Sequence, residues 1–170
     1  KHLNTIYNEN MAHSGKYNPD PKKYKGDLST VKYRSSWELK AFNWCDKNSN
    51  VKYWSSEEVV IPYLYEVDRK YHRYFMDLKL STKQGKTFLV EIKPDGQTRP
   101  PKGGRRTKRY LNESLTYIKN VNKWEAAEEY AKDRGWEFVI WTEKNEPLKS
   151  IIPKSTKPLK PIKPYKRRKK

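Results

Sequence analysis

The most regular pattern of hydrophobic and polar positions along the chain lies in residues 73–93. In its first half, apolar side chains alternate with polar or charged ones, and the apolar set is Tyr74, Met76, Leu78 and Leu80. Alternation with a period of two predicts a half-buried strand, with Asp77 on the more polar face. In the second half, Phe88, Val90 and Ile92 share one face, and Leu89, Glu91 and Lys93 share the other. The two halves predict a β-hairpin.

The turn between these strands sets their register. A three-residue loop ending at Gly85 places glycine at the left-handed position that such loops need. Thr82 then lies opposite Lys86, and Asp77 lies opposite Glu91. Facing residues have Cβ atoms about 4.5–5.5 Å apart, and like charges at that separation are destabilising. The register therefore predicts that a positive group lies between the two acids.

A hard divalent cation is the natural candidate for that positive group. Mg²⁺ takes oxygen ligands and is usually held by one or two carboxylates with waters and a phosphate. Lys93 points to the same side as Glu91, where it would neutralise a phosphate or position an attacking water. The alternative is a solvated sheet face with cross-strand ion pairs. Glu66 and Asp68, in a predicted turn, form a rival pair of acids.

Residues 34–47 have the spacing of an amphipathic helix, with apolar positions at Trp37, Ala41, Trp44 and Cys45. Glu38 lies inside this apolar arc, where a carboxylate is unfavourable unless it is paired or binds a metal. Glu38 is therefore a third candidate acid. Two structural alternatives remain open, namely an ion pair with an arginine such as Arg73 and stabilisation by the helix dipole in the first turn.

The remaining segments predict an α/β fold. Strands are expected at residues 51–54, 57–65 and 136–143, and helices at residues 108–120 and 122–134. Pro62 indicates an edge strand or a bulge, and Asn122 is the expected N-cap of the second of these helices. The last strand follows a helix and is expected to lie parallel to its neighbour. This order of elements predicts a central mixed β-sheet flanked by helices.

Composition limits the class of protein. The chain has 170 residues, of which 34% are hydrophobic and 14% aromatic, so one domain with a modest aromatic core is expected. A single cysteine, Cys45, excludes an internal disulfide and a cysteine-based zinc cluster, which fits a reducing compartment. No run of 18 apolar residues occurs, so we expect a soluble protein without a membrane partner, either intracellular or packaged in an assembled particle.

The net charge of +18 is concentrated in two blocks. Residues 94–109 carry six Lys and Arg against one acid, and residues 144–170 carry eleven against one. Such blocks beside a near-neutral core predict contact with a polyanion, and nucleic acid is the leading candidate. The first block is a loop rich in Pro and Gly, for which the alternative is a flexible linker. The residues expected to hold DNA phosphates there are Arg99, Lys102, Arg105, Arg106 and Lys108.

Three segments are predicted along the chain. Residues 1–15 form an N-terminal extension, residues 16–143 the folded domain, and residues 144–170 a tail rich in Pro and Lys. Such a tail is expected to be extended or disordered and to bind DNA, without base specificity, or an acidic protein surface.

The order of the candidate acids resembles the PD-(D/E)XK restriction-endonuclease-like superfamily. Glu38 on a helix is followed by Asp77, thirteen intervening residues, and then Glu91, Ile92 and Lys93. Met76 stands where the superfamily signature often has proline. Residues 33–93 and the later WEFVIWTE are similar to endonuclease subunits of cut-and-paste transposons, and residues 16–143 resemble the head-completion nucleases of T-even-like bacteriophages.

The resemblance implies a restriction-endonuclease-like core in which Glu38, Asp77 and Glu91 are metal-site acids and Lys93 is the catalytic lysine. It implies a Mg²⁺-dependent deoxyribonuclease, with Mn²⁺ able to substitute, that cleaves DNA as an endonuclease without sequence specificity; added exonuclease activity stays open. It also implies a function in phage head completion and head-tail joining, with portal or neck proteins as partners, in the host cytoplasm or the virion.

Two other functions stay open at this point. A non-enzymatic DNA-binding or neck structural protein would use only the basic segments, so its function would survive loss of Asp77 and Glu91. A branched-DNA resolvase of the same fold would form a dimer and prefer junctions.

Overall fold

A computed structural model of the protein describes residues 14–151, which contain a four-stranded β-sheet, a β-hairpin and flanking helices. The elements in chain order are β1 (Gly15–Lys16), β2 (Lys32–Tyr33), α1 (Ser36–Lys47), β3 (Val51–Ser55), β4 (Val60–Tyr65), β5 (Lys70–Phe75), β6 (Leu78–Thr82), β7 (Thr87–Ile92), a 3₁₀ turn (Asp95–Gln97), α2 (Lys108–Lys132), β8 (Glu137–Trp141) and α3 (Leu148–Ile151). The predicted N-terminal extension up to residue 13 and the tail beyond residue 151 lie outside the described residues.

The central sheet has the strand order β3-β6-β7-β8. β6 is antiparallel to β3 and β7, whereas β8 is parallel to β7. The parallel pairing follows from the helical crossover through α2, because parallel neighbours cannot be joined by a tight turn. The prediction of a mixed sheet flanked by helices is therefore confirmed.

The register of the β6–β7 hairpin is the predicted one. Leu78 pairs with Val90, and Leu80 pairs with Phe88. Gly85 has a φ of 85°, a left-handed conformation that glycine adopts without the steric penalty of a side chain. The turn therefore determines which residues of β7 lie beside the start of β6.

Two hydrophobic clusters cover the two faces of the sheet. The α1 cluster contains Val90 together with Trp37 and Phe42 from α1, and the α2 cluster contains Leu89 together with Ala127 from α2. Neighbouring residues of a strand point to opposite faces. β7 is therefore buried on both sides, and the acid that it carries lies in a largely water-free environment.

The predicted first strand of residues 73–80 is interrupted at Met76 and Asp77. Tyr74 and Met76 belong to the α2 cluster, whereas Leu78 and Leu80 belong to the α1 cluster. The prediction that these four residues share one face is therefore wrong. The alternating pattern does not reveal the interruption, because every second residue is buried both before and after it. The buried residues before it pack in the α2 cluster, and those after it pack in the α1 cluster.

The residues before the interruption form a separate two-stranded hairpin of β4 and β5. Pro62 of β4 pairs with Arg73 of β5. Within residues 14–151, β5 is the one strand that pairs with β4, as the proline predicts for an edge strand. The inward side chains Ile61, Tyr63 and Tyr74 pack in the α2 cluster. The hairpin thus lies on the same face of the sheet as α2.

α2 is one helix of 25 residues, not the predicted pair of helices. Thr107 is its N-cap, and its side-chain oxygen accepts a hydrogen bond from the Tyr110 N–H at 3.2 Å. Asn122, the predicted cap of a second helix, lies inside α2, and its side-chain oxygen accepts a bond from the Glu66 N–H at 3.2 Å. The polar side chain of Asn122 therefore stabilises the β4–β5 turn and not a helix terminus.

The described start of the predicted tail is folded. α3 forms at Leu148–Ile151, and Leu148 is completely buried in the α1 cluster. The prediction of an extended chain from residue 144 is therefore wrong for these four residues. The apolar residues Leu148 and Ile151 have the spacing of one helix turn, but the surrounding Pro and Lys residues mask this short signal.

Replacing Leu148 with Ala is expected to lower the free energy of unfolding by about 2–5 kcal/mol, the usual effect of emptying a buried leucine site. Urea denaturation measures the loss. Lys149→Ala, at the adjacent exposed position, is the control and should change the stability by less than about 0.5 kcal/mol. Equal stability of the two variants would show that α3 does not pack on the core.

Among residues 14–151, no helix has both the length and the apolar character needed to cross a bilayer.

The single cysteine of the chain lies in the core. Cys45 is buried in the α1 cluster with a free thiol, and burial raises the pKa of that thiol. The cysteine is therefore an apolar core residue.

Candidate active site

Asp77, Glu91 and Lys93 lie together where β6 begins and β7 ends. The Asp77 Oδ2 atom accepts a hydrogen bond of 2.7 Å from the Ile92 N–H, and the Lys93 Nζ atom donates one of 2.9 Å to Glu91 Oε1. Asp77 is joined to β7 through its side chain, one position beyond the last pair of the β6–β7 ladder. The structure therefore brings together three of the four predicted catalytic residues. Lys93 contacts Glu91 directly, and Asp77 contacts the backbone of the residue that follows Glu91.

Glu91 is a buried acid, and a donor holds each of its carboxylate oxygens. Its exposed fraction is 3%. Oε1 accepts the bond from Lys93, and Oε2 accepts a bond of 2.6 Å from the Tyr74 hydroxyl. Buried carboxylates are tolerated when they are paired and hydrogen-bonded. These two donors therefore make a charged Glu91 compatible with the apolar α2 cluster.

The carboxyl group of Asp77 lies in an environment that disfavours its charge. Burial raises the pKa of Asp77 well above its ordinary value, and the negative charges of Glu91 and Glu38 raise it further. The Ile92 N–H and the Lys93 ammonium act in the opposite direction but do not outweigh burial. Asp77 and Glu91 together form a site that favours either an extra proton or a bound cation.

Glu38 lies in the first turn of α1 with contacts that belong to a helix cap. The Ser35 side chain accepts a bond from the Glu38 N–H at 3.1 Å, and Glu38 Oε2 accepts one from the Arg34 N–H at 2.7 Å. Ser35 is the N-cap of α1, so the arrangement resembles a capping box, except that Glu38 accepts from the residue before the N-cap. These contacts agree with the alternative in which Glu38 is stabilised in the first turn of α1. The other alternative, an ion pair with Arg73, is not formed, since Arg73 is exposed and does not contact Glu38. Burial raises the pKa of Glu38, so its charge is only partly compensated by the cap.

Within residues 14–151, no three side chains of His, Cys, Asp or Glu are grouped so that they could hold one metal ion. The structure therefore does not gather Glu38, Asp77 and Glu91 into such a group. The pair Asp77 and Glu91 still presents the carboxylate oxygens that Mg²⁺ and Mn²⁺ prefer. A cation there would also compensate the repulsion that raises the pKa of Asp77. The donor set thus fits a divalent ion held by two carboxylates with water and phosphate oxygens.

The sequence does not predict that two further residues, Tyr74 and Lys123, lie beside the acids. Tyr74 is read as a core aromatic from its place in the alternating pattern, yet its hydroxyl contacts Glu91. Lys123 of α2 is half-buried, with its ammonium 5.2 Å from the centre of the Tyr74 ring. Burial lowers the pKa of Lys123, and the charges of Glu91 and Asp77 act in the opposite direction. No local signal marks either residue, because the contacts form only when α2 packs on the hairpin.

A second ion pair borders the site. The guanidinium of Arg34 binds both oxygens of Glu57 at 2.9 and 3.1 Å. Glu57 has a φ of 55°, an uncommon conformation for a residue with a side chain, and its N–H bonds to the carbonyl of Met76. The charge of Glu57 contributes to the raised pKa of Glu38. The Arg34–Glu57 pair is therefore part of the electrostatic surroundings of the acids.

The predicted DNA-binding residues differ in whether their charge is already paired with an acid of the protein. Arg99 binds Asp95 with its guanidinium, and Lys144 binds the same carboxylate. The other four are exposed and form no ion pair within the described residues, namely Lys102, Arg105, Arg106 and Lys108. The loop leaves the sheet directly after Lys93, as predicted, so these cations extend from the end of β7 that carries Glu91.

The rival acids have other partners. Asp68 Oδ2 lies 2.8 Å from the His72 ring, and Glu66 contacts Asn122 of α2. Both acids are exposed in the turn between β4 and β5. They stabilise that turn and are not neighbours in a buried charge cluster.

Comparison with known proteins agrees with this architecture. The profile of the TnsA-like endonuclease N-terminal domain matches residues 48–143, which include β3 to β8 and the cluster of Asp77, Glu91 and Lys93. A head completion nuclease of Enterobacteria phage T4 is 44% identical over 139 residues, which is 78% of this chain and 93% of that protein. The chain therefore belongs to the TnsA-like endonuclease family, with a restriction-endonuclease-like fold.

Proposed function

We propose that this protein is a divalent-metal-dependent deoxyribonuclease that acts in the completion of phage heads. In this proposal Asp77 and Glu91 hold the metal ion, Lys93 is the catalytic lysine, and Glu38 contributes negative charge from α1 without being grouped with the two metal ligands. The observation that supports this most directly is the cluster around the buried Glu91, in which Lys93 binds Glu91 at 2.9 Å and the half-buried Asp77 accepts a bond from the adjacent Ile92 N–H at 2.7 Å. Such a charged cluster is unfavourable for stability, so a functional reason for it is expected.

In the proposed phosphodiester hydrolysis, the acids and the lysine of the site have different functions. The Asp77 and Glu91 carboxylates supply the oxygen ligands for Mg²⁺ or Mn²⁺. When bound, a divalent ion acts as a Lewis acid on the phosphate and lowers the pKa of a coordinated water. Lys93 is 23% exposed at its side chain, so its ammonium is held by Glu91 yet can reach a phosphate oxygen. It stabilises the negative charge that develops there. The negative charge of Glu38 acts on Asp77 and strengthens the attraction of the site for a cation.

The biological setting of the proposal comes from the relative. That protein is named a head completion nuclease of a bacteriophage. We extend this to the present chain because the aligned segment covers most of both proteins. DNA is then the substrate, and the portal or neck proteins of an assembling particle are the expected partners, in the host cytoplasm. Recognition of DNA without sequence preference follows from contacts to phosphates by Lys and Arg side chains.

The proposal is tested by incubating the purified full chain with supercoiled plasmid DNA. With Mg²⁺ or Mn²⁺, we expect conversion to nicked and linear forms, and with a chelator we expect none. Linear and branched DNA are run in parallel, because preferential cleavage of junctions would instead favour a resolvase. Cleavage that continues at the same rate in excess chelator would contradict the proposed metal dependence.

A further inference from the structure

The hydroxyl of Tyr74 is one of the two donors that hold the buried Glu91 carboxylate. The O–H···O distance is 2.6 Å, in the range of short bonds to a charged acceptor. Tyr74 is itself 3% exposed, and burial together with the charge of Glu91 raises the pKa of its hydroxyl. The buried hydroxyl therefore donates to Glu91 and not to solvent.

The ring of Tyr74 is fixed by the elements around it. Tyr74 pairs with Ile61 across the β4–β5 hairpin, and its ring meets that of Tyr63 edge-on with centroids 6.5 Å apart. The ammonium of Lys123 lies 5.2 Å from the ring centre. Cations over an aromatic face are attracted by its electron density. The position of the hydroxyl is therefore set by the hairpin on one side and α2 on the other.

The two donors on Glu91 come from different parts of the fold. Lys93 follows β7 and moves with the acid, whereas Tyr74 belongs to the separate β4–β5 hairpin. Only Tyr74 can fix the orientation of the carboxylate relative to the rest of the domain. Donors of this kind, which bind a ligating carboxylate from behind, set its orientation and its affinity for the metal.

We infer that Tyr74 is a positioning residue that orients Glu91 for metal binding, with Lys123 holding the tyrosine ring in place. This rests on the proposed function, because it takes Glu91 as a metal ligand. The hydroxyl of Tyr74 itself does not touch the metal or the DNA. In its absence the carboxylate retains the bond to Lys93 and rotates toward that lysine, which reduces its availability as a ligand.

The test is calorimetric titration of the metal-free full chain with Mn²⁺ in the absence of DNA. Tyr74→Phe removes only the hydroxyl and keeps the ring beneath Lys123. We expect it to weaken Mn²⁺ binding by about 10–100-fold, the usual effect of losing a donor behind a metal ligand. Tyr63→Phe is the matched control, because Tyr63 is a buried tyrosine of the same hairpin with no contact to Glu91, and its Mn²⁺ affinity should stay within about twofold.

A second measurement keeps the test independent of any loss of stability. The rise in unfolding temperature on adding Mn²⁺ depends on binding to the folded state, and it should be smaller for Tyr74→Phe than for Tyr63→Phe. Equal Mn²⁺ affinities for these two variants would overturn the inference. Glu91→Ala distinguishes a failure of this inference from a failure of the proposed function. Unchanged Mn²⁺ binding in that variant would overturn the proposed metal site itself.

Discussion

Replacing Asp77 with Asn is expected to abolish DNA cleavage and, at the same time, to stabilise the metal-free protein. Asn keeps an oxygen that can accept the bond from the Ile92 N–H. It loses the negative charge that would bind the metal. Charge stabilisation by a metal is worth several kcal/mol, so the cleavage rate should fall by at least about 10³-fold. Plasmid nicking in Mg²⁺ measures this loss.

The gain in stability follows from the raised pKa of Asp77. A carboxyl group whose pKa is higher in the folded than in the unfolded chain contributes most to stability below its unfolded pKa, about 4. That contribution is lost as the pH rises through the folded pKa, because the folded state must then carry the buried charge. The advantage of Asp77→Asn should therefore be small in acid and grow as the pH rises toward neutral, as measured by denaturation in a chelator.

Asp68→Asn provides the matched control for both measurements. Asp68 is an exposed acid in the β4–β5 turn, where it contacts His72. Its replacement should leave cleavage unchanged and should not stabilise the protein at neutral pH, where Asp68 carries no burial penalty comparable to that of Asp77. Equal nicking by Asp77→Asn and the wild type would contradict the assignment of Asp77.

Neutralising four exposed cations in the basic segment between β7 and the first residue of α2 is expected to reduce DNA affinity by about 100-fold in moderate salt. The residues replaced by Gln are Lys102, Arg105, Arg106 and Lys108. Each contact between a cation and a phosphate contributes about 0.9 to the slope of log affinity against log salt. The slope should therefore fall by about three to four units for the quadruple variant. Binding is measured with Ca²⁺ in place of Mg²⁺, over a range of salt concentrations.

A second quadruple variant controls for the loss of net charge. It removes four exposed lysines away from the loop, namely Lys52, Lys70, Lys83 and Lys86. Lys83 and Lys86 lie at the turn of the β6–β7 hairpin, at the opposite end of β7 from Glu91. This control should keep most of the DNA affinity and of the salt slope. If both variants lose affinity equally, the loop is not a specific contact surface.

The sequence predicts the geometry of the β6–β7 hairpin well, because that geometry is determined locally. Gly85 sets the turn, the turn sets the register, and the register brings Asp77 to the end of β7 that carries Glu91 and Lys93. These steps depend on residues within one hairpin. The fold class follows for the same reason, because the alternating and helical patterns are each strong within their own segment.

The sequence fails where two distant segments determine the outcome. Tyr74 and Leu78 have the same place in an alternating pattern, but packing against α2 or α1 decides which face each joins. Asn122 has the chemistry of a cap, but the β4–β5 turn uses its side chain inside a continuous helix. Likewise, the contact of Tyr74 with Glu91 spans seventeen positions and two sheets, so no local spacing could reveal it.

The central claim is that Asp77 and Glu91 together hold a divalent ion beside Lys93. Anomalous diffraction from crystals of the full chain soaked in Mn²⁺ tests this claim most directly. The account predicts a manganese peak bounded by the carboxylates of Asp77 and Glu91, and its absence in crystals of Asp77→Asn. A peak at Glu66 and Asp68, or no peak at the Asp77–Glu91 pair under conditions in which the protein cleaves DNA, would contradict the claim.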